Sequence, residues 1–252
     1  MSFDVPAEAY DAFMGRYSAP LAEVFADFAD LPDAGRVLDV GCGTGALTTV
    51  LARRFGESEV AAADPSSSFL AAVAQRLPWA DVRHGHAEDL PFDDAVFAAA
   101  LAELVVHFMS DPVAGLREMR RVTRPGGVVA ACVWDFRGGR APQSRFFEAL
   151  RAVTGHADDE SDRAGAAAGQ LALLLREAGC SDVVEDEITI VQGFDGFDDW
   201  WAPYTLGVAP AGRQLAALDD ATRERVRESA RALFPAGPFT LGVTAWAVRG
   251  TA

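Results

Sequence analysis

The sequence predicts an α/β fold in a single domain, built on a doubly wound, mostly parallel seven-stranded sheet with a helical cap. From Arg36 onward, short apolar runs alternate with helical patterns, and this alternation is typical of a parallel sheet covered on both faces. The run over residues 96–102 is almost wholly apolar, as expected of a central strand buried on both sides. The chain has 252 residues, which is long enough to bury such a sheet.

Strands and helices follow one another regularly in the first half of the chain. The segment 46–55 places Leu47, Val50 and Leu51 on one helical face, and Ser66 is a suitable N-cap for the next helix. The turn Pro125-Gly126-Gly127 is expected to separate a third helix from a fifth strand. We predict strands at 36–40, 59–63, 81–84, 96–102 and 128–134, and helices at 46–55, 66–76 and 112–122.

The second half is less regular. Residues 137–168 are rich in Gly, Ala and Asp and predict a loop with a short helix, followed by a helix at 170–178 that Gly179 stops. Segments 183–191 and 239–248 predict the last two strands, and between them an aromatic cluster precedes a charged helix at 220–233. We expect one domain over 1–252, with a core at 35–135, a cap made of 1–34 and 193–236, and a last strand within 237–252.

Charge and composition narrow the function. The formal net charge is -15, and a negative body repels phosphates, which disfavours nucleic acid and anionic membranes as partners and favours a neutral or cationic small molecule. The sequence contains neither Lys nor Asn. A GC-rich genome explains this bias, but the absence of Lys still excludes Schiff-base chemistry and a Walker lysine.

The cysteines and acidic clusters give no sign of a metal. Cys42, Cys132 and Cys180 form no metal-ligand spacing and are expected to be free thiols. The acidic runs at 158–160 and 219–220 are interpreted as solvated faces or helix starts. The beginning of the chain is acidic where a signal peptide would be basic, so we expect a cytoplasmic protein, either a monomer or a homodimer.

A glycine-rich turn follows the first predicted strand. The segment Val37-Leu38-Asp39-Val40-Gly41-Cys42-Gly43-Thr44-Gly45-Ala46 runs from strand to turn to helix. Glycine lets the backbone turn sharply and approach a ligand, while the new helix directs free N–H groups at the same crevice. A tight turn in an ordinary α/β protein is the alternative interpretation.

An acid at the end of the second strand argues against that alternative. Asp64 lies 19 residues after Gly45 and is expected beside the glycine turn, because the carboxyl ends of parallel strands meet at one edge of the sheet. A carboxylate there can accept hydrogen bonds from both hydroxyls of a ribose. Together, the turn and the acid predict a ligand that contains adenosine.

Several motifs in order now resemble one family, the class I S-adenosylmethionine-dependent methyltransferases, whose fold is Rossmann-like. The segment 37–45 looks like their first motif, and Asp64 looks like their ribose-binding acid. The segment His84-Gly85-His86-Ala87-Glu88-Asp89-Leu90-Pro91-Phe92 is similar to their adenine-side "G-x-A-E-x-L-P-F" motif, and the turn 124–127 is similar to a later one. The resemblance covers about residues 10–135 and is of the small-molecule, "methyltransferase domain 11" type.

The resemblance implies a role for each motif. Asp39 and the loop glycines would hold the methionine end of the cofactor above Glu103, and Asp64 would bind the ribose with Ser66 nearby. The adenine would lie between His86 and Ala87, and Tyr10 and Arg16 would belong to a cap over the cofactor. The implied cofactor set is Tyr10, Arg16, Asp39, Gly41, Gly43, Thr44, Gly45, Asp64, Ser66, His86, Ala87, Glu88 and Glu103.

The acceptor side is less specified. Methyl transfer from a sulfonium is an in-line displacement, so the protein mainly supplies alignment and excludes water. His107 follows the fourth strand and is the candidate general base, with a helix-packing histidine as the alternative. Aromatic residues of the cap are predicted either to line the acceptor pocket or to form a small core. The residues predicted for the pocket are Tyr17, Trp134, Trp200, Trp201 and Tyr204.

The sequence thus predicts an enzyme that methylates a small molecule with S-adenosyl-L-methionine and releases S-adenosyl-L-homocysteine. One alternative is a nicotinamide-dependent oxidoreductase, with Ala46 as the third small residue of its fingerprint. Two observations argue against an oxidoreductase: the downstream adenine-side segment is present, and a Tyr-x-x-x-Lys pair is impossible without Lys. The other alternative is a protein that binds the cofactor without catalysis.

Overall fold

The computed structural model describes Glu8 and residues 11–252, and a seven-stranded mixed sheet lies at its centre. The strands are β1 (Val37–Val40), β2 (Val60–Asp64), β3 (Asp81–His84), β4 (Phe97–Glu103), β5 (Thr123–Trp134), β6 (Ser181–Phe194) and β7 (Phe239–Thr251). Their order is β3-β2-β1-β4-β5-β7-β6. The first five strands pair in parallel, and β7 pairs antiparallel with both β5 and β6. The predicted doubly wound, mostly parallel sheet is confirmed.

Helices connect the strands and also build the cap. They are α1 (Arg16–Phe28), α2 (Ala46–Phe55), α3 (Ser67–Arg76), α4 (Pro112–Val122), α5 (Ser144–Thr154), α6 (Gln170–Glu177), α7 (Phe197–Trp201), α8 (Ala209–Ala216) and α9 (Asp220–Arg231). A π-helical turn (Asp11–Gly15) precedes α1, and 3-10 turns lie at Glu57–Glu59, Val106–Phe108 and Ala202–Leu206. Ser66 caps α3 as predicted, because its hydroxyl accepts a hydrogen bond from the Phe69 N–H at 3.4 Å.

The register of the parallel strands creates the edge at which a ligand can bind. Asp39 lies opposite Ala62 on one side and Leu101 on the other, so β1, β2 and β4 end at the same edge. All five residues of β2 and the first six of β4 are buried, and most of them are alanines that allow helices to pack closely on both faces. The acids that end β2 and β4 therefore come together at this edge.

Two segments differ from the sequence prediction in detail. The fifth strand begins at Thr123 rather than after the Pro-Gly-Gly turn: Thr123 pairs with Phe97, the next pair is Val128 with Ala99, and the residues between them loop out. The predicted short helix within 137–168 is an eleven-residue helix, α5, whose face of Phe146, Phe147 and Leu150 is buried.

The N-terminal helix joins the cap to the sheet. Helix α1 contacts α2 and β6, while α9 packs on α5. The Arg16 guanidinium forms an ion pair with Asp199 of α7 at 2.9 Å and lies over the Phe194 ring, with its carbon 5.1 Å from the ring centre. Within the described part of the chain, every helix is too short or too polar to cross a membrane.

Candidate functional site

The glycine turn is held in a conformation that suits glycine. Gly41 has φ +73°, and a Cβ added to it would lie 2.5 Å from Cγ2 of Val105, so a side chain there would require both strain and a displaced wall. The Gly41 and Cys42 N–H groups donate to the Ala63 carbonyl at 2.7 and 3.1 Å. These bonds fix the turn against the end of β2. At Gly43, by contrast, an added Cβ would meet nothing within 4 Å, because this residue faces open space.

Asp64 connects the glycine turn to the start of α3. Its Oδ2 accepts a hydrogen bond from the Gly43 N–H at 2.9 Å, and its Oδ1 accepts one from the Ser66 N–H at 2.7 Å. Burial raises the pKa of this carboxyl, and the two backbone hydrogen bonds oppose the rise. Each carboxylate oxygen still has a lone pair available, so Asp64 can also accept hydrogen bonds from a diol.

A cavity of about 410 Å³ opens beside Asp64, within the usual size range of small-molecule sites. The predicted residues Ser66, His86, Ala87, Glu88 and Glu103 all line it, as do Gly41 and Gly43. Glu88 also supports the wall, because its Oε1 accepts a hydrogen bond from the Ser110 N–H at 2.7 Å.

Part of this wall was not predicted from the sequence. Leu104, Val105, Phe108 and Met109 form an apolar side of the cavity. The signal was present, since this apolar run directly follows β4 at the ligand-binding edge. Leu104 has φ +61°, a rare conformation for a branched residue, so the chain turns abruptly where β4 ends.

A smaller cavity of about 40 Å³ adjoins the first and contains two buried acids, Asp39 and Glu103. Asp39 Oδ2 accepts a hydrogen bond from the Thr48 hydroxyl at 2.6 Å. Burial raises the pKa of Asp39 to about 7 despite this bond. Burial and the nearby Asp39 hold the pKa of Glu103 well above its usual range, and Glu103 Oε1 has no hydrogen-bond partner among the described residues.

Thr44 and Gly45, two other residues predicted to bind the cofactor, lie at the end of the glycine turn. Thr44 lines the smaller cavity, and its hydroxyl donates to Asp11 Oδ1 at 2.5 Å. The second oxygen of Asp11 pairs with Arg76 of α3 at 2.5 Å, so the N-terminal segment is tied to the glycine turn. Gly45 has φ +93° and precedes the first residue of α2. Tyr10, also predicted for this site, lies outside the described residues.

The structure places His107 in the wall behind the cavity rather than on its surface. The residue is 5% exposed and packs on the rings of Phe108 and Phe136, with ring centres 3.9 and 5.7 Å away. Its Nδ1 has no partner among the described residues. Burial, assisted by the nearby Arg163, lowers the pKa of His107 to about 3, so the imidazole is neutral at neutral pH.

The predicted pocket aromatics are all buried, four of them in the cap and Trp134 at the end of β5. Tyr17, Trp200 and Tyr204 line a narrow cavity of about 10 Å³. Arg16 lines the same cavity and so belongs to the cap rather than to the large cavity. Trp134 packs edge-on against Tyr17, with ring centres 6.5 Å apart. Trp201 stacks on Phe197 at 5.7 Å. In the described residues, no group of three or more His, Cys, Asp or Glu side chains could hold a metal ion.

Comparisons with known proteins agree with this geometry. Residues 38–131 match the family model described as "Methyltransferase domain". An uncharacterised methyltransferase of Mycobacterium tuberculosis is 37% identical over 140 residues, covering 56% of this chain and 54% of that protein. A demethylmenaquinone methyltransferase of Mycolicibacterium gilvum is 44% identical over 103 residues, covering 40% of this chain and 43% of that protein. The chain thus spans about half the length of the curated relatives it matches.

A solved structure shows the same fold. It is described as a SAM-dependent methyltransferase, possible histamine N-methyltransferase, from Thermotoga maritima. Its TM-score is 0.56 at 20% identity, with 97% of this chain and 94% of that chain covered.

The sheet order, the glycine turn and the acid that ends β2 define a nucleoside-binding α/β protein. With the matched motifs, residues 38–131 resemble the methyltransferase domain of class I S-adenosylmethionine-dependent enzymes, and S-adenosylmethionine is the cofactor that this resemblance supports. The comparisons do not favour a nicotinamide-dependent oxidoreductase.

The site's own atoms suit this cofactor. Asp64 can accept hydrogen bonds from the two ribose hydroxyls inside a cavity large enough for a nucleoside. In the adjoining cavity, the unpartnered oxygen of Glu103 suits the cationic ammonium group of a methionine moiety, because a buried carboxylate is stabilised by an opposite charge. The open space at Gly43 leaves the backbone accessible between the ribose site at Asp64 and the ammonium site at Glu103.

Proposed function

We propose that this protein transfers a methyl group from S-adenosylmethionine to a small-molecule acceptor and releases S-adenosylhomocysteine. The observation that carries the proposal is the pair of adjoining cavities, which share Gly41, Gly43 and Glu103. The larger cavity offers Asp64 to a ribose, and the smaller one offers Asp39 and Glu103 to an ammonium group. When bound, the cofactor supplies a sulfonium methyl that is already activated for displacement.

On the nucleoside side, the proposed contacts combine side chains with the backbone. Asp64 holds the ribose, and Ser66 lies next to it at the start of α3. The Ala87 N–H bonds the edge of the adenine, while His86, which is exposed at the cavity rim, flanks its face. The apolar wall around Phe108 removes the base from water.

The described residues favour catalysis by alignment. Leu104, Val105 and Phe108 exclude water, which is the main contribution that an in-line displacement needs from the protein. His107 is our candidate base where the acceptor must lose a proton, although its ring lies behind the wall of the cavity. A base with a pKa near 3 is a weak proton acceptor at neutral pH, so an acceptor that needs little help with deprotonation is favoured.

The acceptor is proposed to be a small molecule rather than nucleic acid. The net charge of -15 repels phosphates, and demethylmenaquinone, the substrate in the name of one relative, is a small molecule. We further propose a single methyltransferase domain, monomeric or homodimeric, with a core at 35–135 and a cap formed by 1–34 and 193–236.

Calorimetric titration with S-adenosylhomocysteine tests the cofactor site, and Asp64→Ala is the informative variant. Loss of the charge-assisted hydrogen bonds to the ribose should weaken binding by about 1.5–3 kcal/mol. Asp27→Ala is the matched control, because Asp27 is an exposed carboxylate on α1. This variant should bind S-adenosylhomocysteine as the unaltered protein does. Unchanged affinity in a folded Asp64→Ala protein would rule out the ribose role.

Catalysis needs a separate measurement. The protein is incubated with methyl-labelled S-adenosylmethionine and the small-molecule fraction of a cell extract, and products that carry the label are identified by mass spectrometry. We expect a labelled product that is not formed by Asp64→Ala at low cofactor concentration. Cofactor binding without any labelled product would favour a non-catalytic binding protein, and binding of NADH in its place would favour an oxidoreductase.

A further inference from the structure

The cap contains a small cavity of about 10 Å³, roughly the space of one oxygen atom. Five of its nine lining residues are aromatic: Phe13, Tyr17, Phe194, Trp200 and Tyr204. Tyr17 faces this cap cavity, whereas its neighbour Ser18 lines the small cavity that contains Asp39 and Glu103. The first turn of α1 is therefore shared between the cap cavity and the methionine side of the cofactor site.

Three buried polar atoms in the wall of the cap cavity lack partners among the described residues. They are Nη1 of Arg16, Nε1 of Trp200 and Oε1 of Gln143. Trp200 is 1% exposed and Gln143 is 5% exposed, so bulk water does not solvate them. Buried polar groups in native proteins nearly always have a hydrogen-bond partner, so three unpartnered atoms on residues that line one cavity indicate a missing partner.

The three atoms define the chemistry of that partner. Arg16 and Trp200 each offer an N–H donor, and Gln143 offers a carbonyl acceptor. An oxygen that accepts two hydrogen bonds and donates one is a hydroxyl. An ether or a carboxylate cannot donate to Gln143, and an ammonium group cannot accept from Arg16. The aromatic wall favours a hydroxyl that is attached to a flat ring.

We propose that the cap cavity binds a phenolic hydroxyl of the methyl acceptor, which makes the acceptor a hydroxylated aromatic compound. This inference rests on the methyltransferase function proposed above.

A ring can enter only when the N-terminal segment withdraws from the cap, and the backbone hydrogen bonding of this segment is incomplete. Pro20 lies inside α1 and has no N–H to donate to the Arg16 carbonyl, so the first turn lacks a helical hydrogen bond. The preceding turn, Asp11–Gly15, is π-helical, a form that is rare and often found at functional sites. The ion pair of Arg16 with Asp199 of α7 is partly exposed.

Phenol, anisole and toluene are suitable probes, added to protein that is saturated with S-adenosylhomocysteine. Anisole has the same ring but cannot donate to Gln143, and toluene has no oxygen. We expect phenol to bind at least about tenfold more tightly than either, as measured by titration or ligand-detected NMR. Equal binding of phenol and anisole would overturn the proposal.

Variants of residues that line the cap cavity test whether the preference for phenol arises there. Gln143→Met keeps the side-chain length but removes the carbonyl, and Trp200→Phe keeps a ring but removes the N–H; each should reduce phenol affinity about five- to tenfold. Trp79→Phe, beside the edge strand β3, is the matched control and should leave affinity unchanged. A phenol preference that survives in both cap variants would reject the cap cavity as its origin.

Binding of S-adenosylhomocysteine separates this proposal from the proposed function. All three variants should bind it as the unaltered protein does, since none of these residues lines the cofactor cavities. If the unaltered protein fails to bind S-adenosylhomocysteine, the methyltransferase function itself is wrong. If it binds S-adenosylhomocysteine but does not distinguish phenol from anisole, only the phenolic acceptor is rejected.

Discussion

The carboxyl of Asp39 is fully buried and yet ionisable. Burial raises its pKa to about 7, the Thr48 hydroxyl opposes the rise, and the charge of Asp64 adds to it. Because the folded pKa lies above the unfolded value near 4, the native state holds the proton more tightly than the unfolded chain does. This carboxyl therefore contributes stability in acid, and the contribution is lost as the pH rises from about 4 to about 7.

Replacing Asp39 with Asn should remove this loss. The Asn carbonyl can still accept the Thr48 hydroxyl, but it never ionises. We expect the free energy of unfolding of Asp39→Asn, relative to the unaltered protein and without cofactor, to rise by about 1–3 kcal/mol between pH 5 and pH 8. Urea unfolding at the two pH values measures this difference.

The exposed Asp27 provides the control for that experiment. Asp27→Asn makes the same replacement on the exposed surface of α1 and leaves the buried Asp39 in place, so it should keep the pH dependence of the unaltered protein. If Asp39→Asn kept the pH dependence of the unaltered protein, the Asp39 carboxyl would not be the group that titrates.

Among the elements, the connection from β1 to α2 positions most of the site. Its glycines, the start of the helix at Ala46 and the acid that ends β2 were all predictable, because strand, turn and helix signals are local in sequence. The bulge at the start of β5 was not predictable, because the pairing of Thr123 with Phe97 depends on a strand that is distant in sequence. The contribution of Gln143 to the cap cavity likewise arises only when distant segments pack together.

Two glycines with positive φ allow cofactor binding by the turn between β1 and α2 to be tested apart from the stability of the fold. Gly43 has φ +54° and Gly56 has φ +92°, and an added Cβ would meet nothing within 4 Å at either position. Gly43→Ala and Gly56→Ala should therefore both lower the free energy of unfolding by about 1–3 kcal/mol. Only Gly43→Ala should also weaken S-adenosylhomocysteine binding, because its new methyl group lies in the cofactor cavity.

Calorimetric titration and urea unfolding of the two glycine variants provide the comparison. The expected pattern is a similar loss of stability in both and a loss of affinity in one. Equal affinities in Gly43→Ala and Gly56→Ala would contradict the placement of the cofactor against the glycine turn.

Over the whole molecule, the cap and the sheet are joined by contacts that cross between them. Helix α1 reaches both α2 and β6, the Asp11 carboxylate ties the N-terminal segment to Thr44, and Arg16 reaches Asp199 in α7. The overall topology followed from the order of apolar and helical segments. The tightness of the cap did not, because ring packing around Trp200 and Tyr204 depends on segments that are far apart in sequence.

These crossing contacts predict that cap and core unfold together and that the cofactor site stabilises both. S-adenosylhomocysteine at a hundred times its dissociation constant should raise the free energy of unfolding by about 2.7 kcal/mol. Tryptophan fluorescence, which includes Trp200 and Trp201 of the cap, and far-ultraviolet circular dichroism should report the same shifted transition. Gly43→Ala, at the same ligand concentration, should show a smaller shift by both methods. Two separate transitions, with the ligand moving only one of them, would instead show that the cap folds as a unit of its own.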